Sequence, residues 1–251
     1  MPSVTLLLKI YNSGQLKLVE DHLKQALKGL KIKIENVEVT ARSWIKVDFS
    51  GEDEKVALNY LKREIGVCAE TPTKYLTTKA YIADLDMDKL ILDPGIIMPE
   101  NIKATIPIQH LQSQLTDGRK IALQKIAELY GLCKMLPLTI KIANIHENEI
   151  EAVLAEKQLN LYKQWTKNLL QKLIVLGATS SEIKNALRLA KCQSDVTTIE
   201  PMGLFEHAIT CKLGTDAAGL MPKIGKELRK ANLTIFNPEK IIKILGQIYS
   251  S

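Results

Sequence analysis

The tightest constraint on this chain is a hydrophobic period that switches repeatedly between the two-residue repeat of a strand and the 3.6-residue repeat of a helix, a pattern that calls for a mixed α+β architecture. Val4–Tyr11 is a β-rich apolar run, and Asn12-Ser13-Gly14 supplies turn and cap residues. Leu16, Val19, Leu23, Ala26, Leu27 and Leu30 then follow helical spacing, with charged residues between them. Ile32, Ile34, Val37 and Val39 mark one strand and Trp44, Ile45, Val47 and Phe49 another, before Gly51-Glu52-Asp53-Glu54 opens a helix through Ile65. The order β-α-β-β-α is a ferredoxin-like pattern. It defines a first module over residues 1–72, because helical spacing stops at Gly66 and Pro72 follows.

Short strands are predicted next at Lys79–Ala83, Lys89–Asp93 and Lys103–Pro107, then helices at His110–Leu115 and Lys120–Tyr130. Leu138–Ile142 and Glu151–Leu154 complete five strands, so residues 73–155 read as an OB or S1-like barrel with a helical insertion. A helix from Glu156 through Trp165 leads into the buried-strand pattern Leu173–Gly177, and Ser180 or Ser181 is the expected cap of the helix that runs to Lys191. Strands at Val196–Ile199 and His207–Leu213, a helix from Thr215-Asp216 and a last strand at Leu233–Phe236 give β-α-β-β-α-β. Residues 156–251 are therefore expected to be a second ferredoxin-like module.

No segment approaches the roughly 18 consecutive apolar residues that a membrane helix needs, and Met1-Pro2-Ser3-Val4-Thr5 has no basic lead into an apolar run. A cytoplasmic chain without membrane contact is the expectation. Cys68, Cys133, Cys192 and Cys211 form no CxxC pair, so they are expected as buried thiols, with no metal and no cofactor. The Asn232-Leu233-Thr234 glycosylation pattern is read as chance, since nothing directs secretion. The net charge of +6 is uneven. Residues 1–73 hold 11 basic against 10 acidic residues, 74–150 hold 9 against 9, and 151–251 hold 14 against 9. The excess lies in the last module, where it suits a polyanion partner.

Gly214-Thr215-Asp216-Ala217-Ala218-Gly219 places flexible backbone beside a helix start, where amides can point at a phosphate. Lys223, Lys226, Arg229 and Lys230 recur on the helix that follows, with Lys212 just upstream, and can share one phosphate-facing side. Gly219–Gly225 has five intervening residues and a Glu after Lys226, which excludes a nucleotide-binding P-loop. Asp84-x-Asp86-x-Asp88 lacks the Gly and Glu of a calcium loop and reads as a polar hairpin turn. Glu206 and His207 fall on opposite faces of a predicted strand, which prevents them from acting as an acid–base pair. His22, His110 and His146 have no ligand-like spacing, and no local catalytic motif occurs, so a non-enzyme is expected.

Three segments resemble the archaeal family catalogued as domain of unknown function 2110: Ile106–Leu111 with Gln114–Lys120, Ile174–Thr179, and, most specifically, Gly203–Leu220. The resemblance implies an archaeal cytoplasmic protein and is compatible with an S1-like barrel, but it brings no activity to transfer. RNA-binding S1 barrels expose aromatic residues on a strand face, and Leu90-Ile91-Leu92 offers none. Tyr75, Tyr81 and His110 are the stacking candidates that remain. The leading expectation is an RNA-binding accessory protein of translation or RNA metabolism, its RNA ribosomal or other. The alternatives are a protein-assembly module that docks a partner through exposed sheet edges or the inserted helices at Leu111–Tyr130, where an apolar patch would favour it, and an enzyme whose Gly214–Asp216 turn meets His207 or a carboxylate over a small phosphorylated ligand.

Overall fold

The computed structural model describes residues 3–100, 102–146 and 149–246. Residues 1–71 with 95–97 form one compact unit, and residues 72–94 with 98–251 form a second.

In the first unit, β1 (Ser3–Lys9), α1 (Gln15–Ala26), β2 (Ile32–Val39), β3 (Trp44–Gly51) and α2 (Glu54–Glu64) follow the predicted order. The sheet is antiparallel with strand order β1-β3-β2. Val4, Leu6 and Leu8 of β1 and Ile45, Val47 and Phe49 of β3 share a buried face with Val19 and Leu23 of α1 and Ala57 and Leu61 of α2. On the free side of β1 a short return segment supplies a fourth position. There Leu7 N–H donates to Gly66 O at 3.0 Å and Cys68 N–H to Thr5 O at 2.8 Å. Gly66 has φ +88°, and a Cβ there would lie 2.8 Å from Leu7 Cδ1, so only glycine fits this corner without strain.

The second unit begins with a closed barrel of β4 (Thr77–Leu85), β5 (Lys89–Pro94), β6 (Lys103–Pro107), β7 (Pro137–His146) and β8 (Glu149–Leu154), in the order β4-β5-β6-β8-β7. All its pairings are antiparallel except β6 with β8. The two-residue period sends Ala80, Ile82, Leu90, Leu92, Ala104, Ile106, Ile140, Ile142, Ile150 and Ala152 into the interior. Helices α3 (Ile108–Leu115) and α4 (Leu123–Tyr130) connect β6 to β7.

After α5 (Glu156–Lys167) come β9 (Lys172–Leu176), α6 (Ser180–Leu189), β10 (Val196–Pro201), β11 (Glu206–Cys211), α7 (Ala217–Glu227), β12 (Asn232–Phe236) and α8 (Pro238–Gly246). This sheet is antiparallel, in the order β10-β11-β9-β12. The cap of α6 is Thr179 rather than Ser180 or Ser181. Thr179 and Glu182 exchange hydrogen bonds as a capping box, the Thr179 N–H donating to Glu182 Oε2 at 2.7 Å, and an Ser at either later position cannot reach back in this register.

Both faces of the last sheet are covered. Leu173, Val175, Ile209 and Cys211 pack on one side against Ile183, Ala186 and Leu187 of α6 and Ala217, Leu220 and Ile224 of α7. On the other side the rings of Tyr130, Tyr162, Trp165 and Phe236 form a cluster with centroids 5.2–6.0 Å apart, which joins α4, α5 and β12. Lys172 lies under this layer. Its Nζ donates to Glu200 Oε1 and Thr210 Oγ1, both at 2.7 Å, and sits 5.0 Å from the Trp165 ring centroid.

Candidate nucleic-acid interface

Lys212, Lys223, Lys226, Arg229 and Lys230 are all exposed, on α7 and its flanks. The turn before α7 differs from the expected phosphate cradle. The Asp216 carboxylate accepts from the N–H groups of Ala218 at 3.2 Å and Gly219 at 3.1 Å. Thr215 N–H donates to Lys212 O, and Ala217 N–H donates to the Gln171 side chain at 3.0 Å. These amides therefore have partners, and the carboxylate sits where a phosphate would have to sit. Gly214, at φ +87°, shapes the turn with open space around it. Asp216 is a helix cap.

His207 and the Gly214–Asp216 turn lie at opposite ends of β11, so the enzyme geometry that requires them to meet does not form. His207 and Glu206 are both buried, on opposite faces of the strand as expected. Burial holds His207 below its ordinary pKa, and a hydrogen bond with the Ala178 backbone partly opposes the shift. The apolar patch expected at Leu111–Tyr130 is absent too. Leu111, Leu115, Leu123, Ile126, Leu129 and Tyr130 are buried, because α3 packs on β6 and β8 and α4 packs on β12 and α8.

Two of the stacking candidates are committed elsewhere. Tyr81 is 0% exposed, and its hydroxyl lies 3.3 Å from Glu206 Oε1 at the contact between the barrel and β11. Neither ring face can receive a base. His110 Nε2 lies 2.8 Å from Glu151 Oε1, and the His110 hydrogen bond, joined by one from Asn144, holds the Glu151 carboxyl below its usual range.

Tyr75 is placed differently. Residues 73–76 form a tight turn closed by Leu76 N–H to Thr73 O at 3.1 Å, and Tyr75 sits in it at φ +68°, a position usually filled by Gly or Asn. The Tyr75 N–H donates to Ile142 O at 2.9 Å, which ties the strained turn to β7. The residue is 64% exposed, and Lys74 Nζ and Lys141 Nζ lie over its ring, 5.4 Å and 5.3 Å from the centroid. Lys79 continues this face. It is cross-strand partner to Thr139, its Nζ reaches Met202 O at 3.4 Å, and burial lowers its pKa, with Glu206 raising it and Lys157 lowering it further. Beyond Thr139 a groove of about 560 Å³ runs along α5, lined by Glu156, Lys157, Gln158, Asn160, Leu161 and Gln164.

The sequence did not single out Lys74, Lys79, Lys141 or Lys157. They belong to a segment of zero net charge and to a helix that reads as ordinary; Lys74 adjoins Tyr75 in the chain, and the pairing of β4 with β7 brings Lys141 over its ring. The C-terminal basic residues do not join them. α7 packs on the sheet face opposite the one that meets α5 and the barrel. Among the described residues no cluster of His, Cys, Asp and Glu could hold a metal ion, and no helix is long and apolar enough to cross a membrane.

Three family profiles match the chain. They are described as the DUF2110 N-terminal domain over residues 3–71, the central domain over 75–166 and the C-terminal domain over 170–236. No curated protein matches. Among solved structures the chain is similar to an a/eIF2alpha–aDim2p–rRNA complex from Pyrococcus horikoshii, at 16% identity and TM-score 0.28, over 48% of this chain and 62% of that one. It is also similar to the intact alpha subunit of aIF2 from Pyrococcus abyssi, at 10% identity and TM-score 0.27, over 67% of this chain and 98% of that one. A multidomain protein with nucleic acid binding domains from Streptococcus pneumoniae matches at 10% identity and TM-score 0.23, over 86% of this chain and 53% of that one.

Proposed function

This chain belongs to the DUF2110 family, and from that premise we propose that it is a non-catalytic RNA-binding accessory protein of archaeal translation or RNA metabolism, which binds through the Tyr75 face of its barrel. The observation that carries the reading is Tyr75, a residue 64% exposed in a strained turn, with the Lys74 and Lys141 ammoniums over its ring. An aromatic face beside cations that can reach a backbone is the usual means of holding an unpaired base. Backbone strain of this kind tends to collect at functional positions.

The barrel order β4-β5-β6-β8-β7, with its single parallel pair, is that of an OB or S1-like barrel, and both flanking modules follow ferredoxin-like strand orders. Binding on the customary ligand strands is disfavoured. The turn at Asp84, Asp86 and Asp88 is acidic, and Lys89 is engaged by Glu149 at 3.8 Å. In the last module, the sheet face that RNA-binding sheets of this topology use for stacking lies beneath α5 and the barrel. Lys223 and Lys226 on the solvated face of α7, with Lys212, Arg229 and Lys230 on its flanks, then act as auxiliary phosphate contacts.

The test is RNA affinity across a salt series for the intact chain, Tyr75→Ala, and the Lys226→Glu/Arg229→Glu pair. Tyr75→Ala is expected to cost about 1–3 kcal/mol at every salt concentration, as stacking does. The charge-reversed pair is expected to weaken binding mainly at low salt. Unchanged affinity in Tyr75→Ala would remove the barrel face from the reading, and no binding by the intact chain at low salt would remove RNA altogether.

A further inference from the structure

We infer that the groove between β7 and α5 is a base-reading subsite for a single-stranded RNA whose neighbouring base stacks on Tyr75, an assignment that rests on the RNA reading above. Helix α5 has two unlike stripes. Gln158, Tyr162 and Trp165 are buried toward the core, whereas Lys157, Asn160, Leu161 and Gln164, at the i, i+3, i+4 and i+7 spacing of one helical face, line the groove. Its volume of about 560 Å³ falls within the range of small-ligand sites and has room for a base with its ribose.

The lining chemistry favours a base over a phosphate. Glu156 would repel an anion inside the groove, while the amides of Asn160 and Gln164 each offer donors and an acceptor to a base edge. Gln158 serves the walls instead, since its Oε1 accepts from Thr139 N–H at 3.0 Å. Thr139 on the floor of the groove and Lys141 beside Tyr75 are two residues apart on one face of β7, roughly 7 Å. The platform and the groove are thus one pleat apart, with Lys141 and Lys157 along the path for the backbone phosphates. A duplex cannot use this pair of sites, because both require bases splayed out of the stack.

Affinities of the intact chain for the four short RNA homopolymers and for a duplex test the assignment, together with Asn160→Ala/Gln164→Ala, Lys157→Ala and Tyr75→Ala. The substituted α5 residues are exposed on a helix, where alanine does not disturb folding. The amide-free variant is expected to change the ranking of the four bases by about tenfold at unchanged salt slope. Lys157→Ala is expected to flatten the slope by about 0.7, and Tyr75→Ala to weaken all four homopolymers alike. Tyr75-dependent binding whose base ranking survives loss of Asn160 and Gln164 would overturn this assignment and leave the RNA reading standing. Duplex binding as tight as single-strand binding would also overturn it. Absence of any RNA binding would instead overturn the reading on which it rests.

Discussion

The first and last modules run the chain through the same succession of strands and helices, yet their sheets have different surroundings. In the first, α1 and α2 cover one face, and the other carries Thr5, Lys46, Asp48, Glu38 and Asn36, all partly or fully exposed. In the last, α6 and α7 cover one face, and the aromatic layer of α4 and α5 with Tyr81 of the barrel covers the other. Each sheet has a cross-strand lysine–glutamate pair on this second face, at the same distance. Lys46 to Glu38 and Lys172 to Glu200 are both 2.7 Å, but the side-chain exposures of the two lysines are 38% and 1%. Distance alone does not rank such pairs. Water screens the first, whereas in the second the Lys172 ammonium is held in a dry layer and depends on Glu200 and Thr210 for its hydrogen bonds.

Substitutions should separate the two faces. The largest effect is expected from Phe236→Ala, which removes a ring in contact with Tyr130, Tyr162 and Trp165 and should cost about 3–5 kcal/mol in the second unit. Hydrogen exchange resolved by segment measures it, and a loss below 1 kcal/mol would mean that this face is not a true core. Lys172→Ala should follow, at about 2 kcal/mol, reduced from the usual cost of a broken buried pair because Glu200 is itself half-exposed. Lys46→Ala should leave the first unit unchanged, and equal losses in the two variants would erase the distinction between the sheets.

The modules should also respond in different pH windows. Burial, helped by the charge of Arg42, lowers the Lys9 pKa from 10.5 to about 8, so the folded first unit binds this proton less tightly than the unfolded chain does. Its stability should therefore rise between about pH 8 and 10.5, and Lys9→Met should abolish the rise. His207 is depressed by burial as well, so its contribution to the second unit is present above pH 6.5 and lost as pH falls through its folded pKa. This should be the smallest of these effects, and His207→Phe should remove it. Acid loss that persists undiminished in His207→Phe would assign the sensitivity to other groups.

Much of the element order was legible because apolar spacing reports directly on local structure. The barrel strands at Lys89–Pro94 and Lys103–Pro107 and helix α5 fall where the periodicity places them. The binding surface was legible only in part. Charge counting favoured Lys223 and Lys226 of α7 and Arg229 just beyond it, which appear as a cluster in sequence, while Lys74, Lys141 and Lys157 lie far apart along the chain. Tyr75 was on the list of aromatics, but nothing local distinguished it from Tyr81. One ring became exposed and the other buried when β4 closed against β7 and the last sheet settled over the next pleat.

The sequence by itself determined most of the strands and helices, though not α8, together with the excess of positive charge in the last module and the absence of any local catalytic motif, since each depends on neighbours along the chain. Tertiary structure alone decided which faces stay open and that Lys141 comes over the Tyr75 ring. These depend on barrel closure and sheet packing, which bring together residues that no short-range pattern relates.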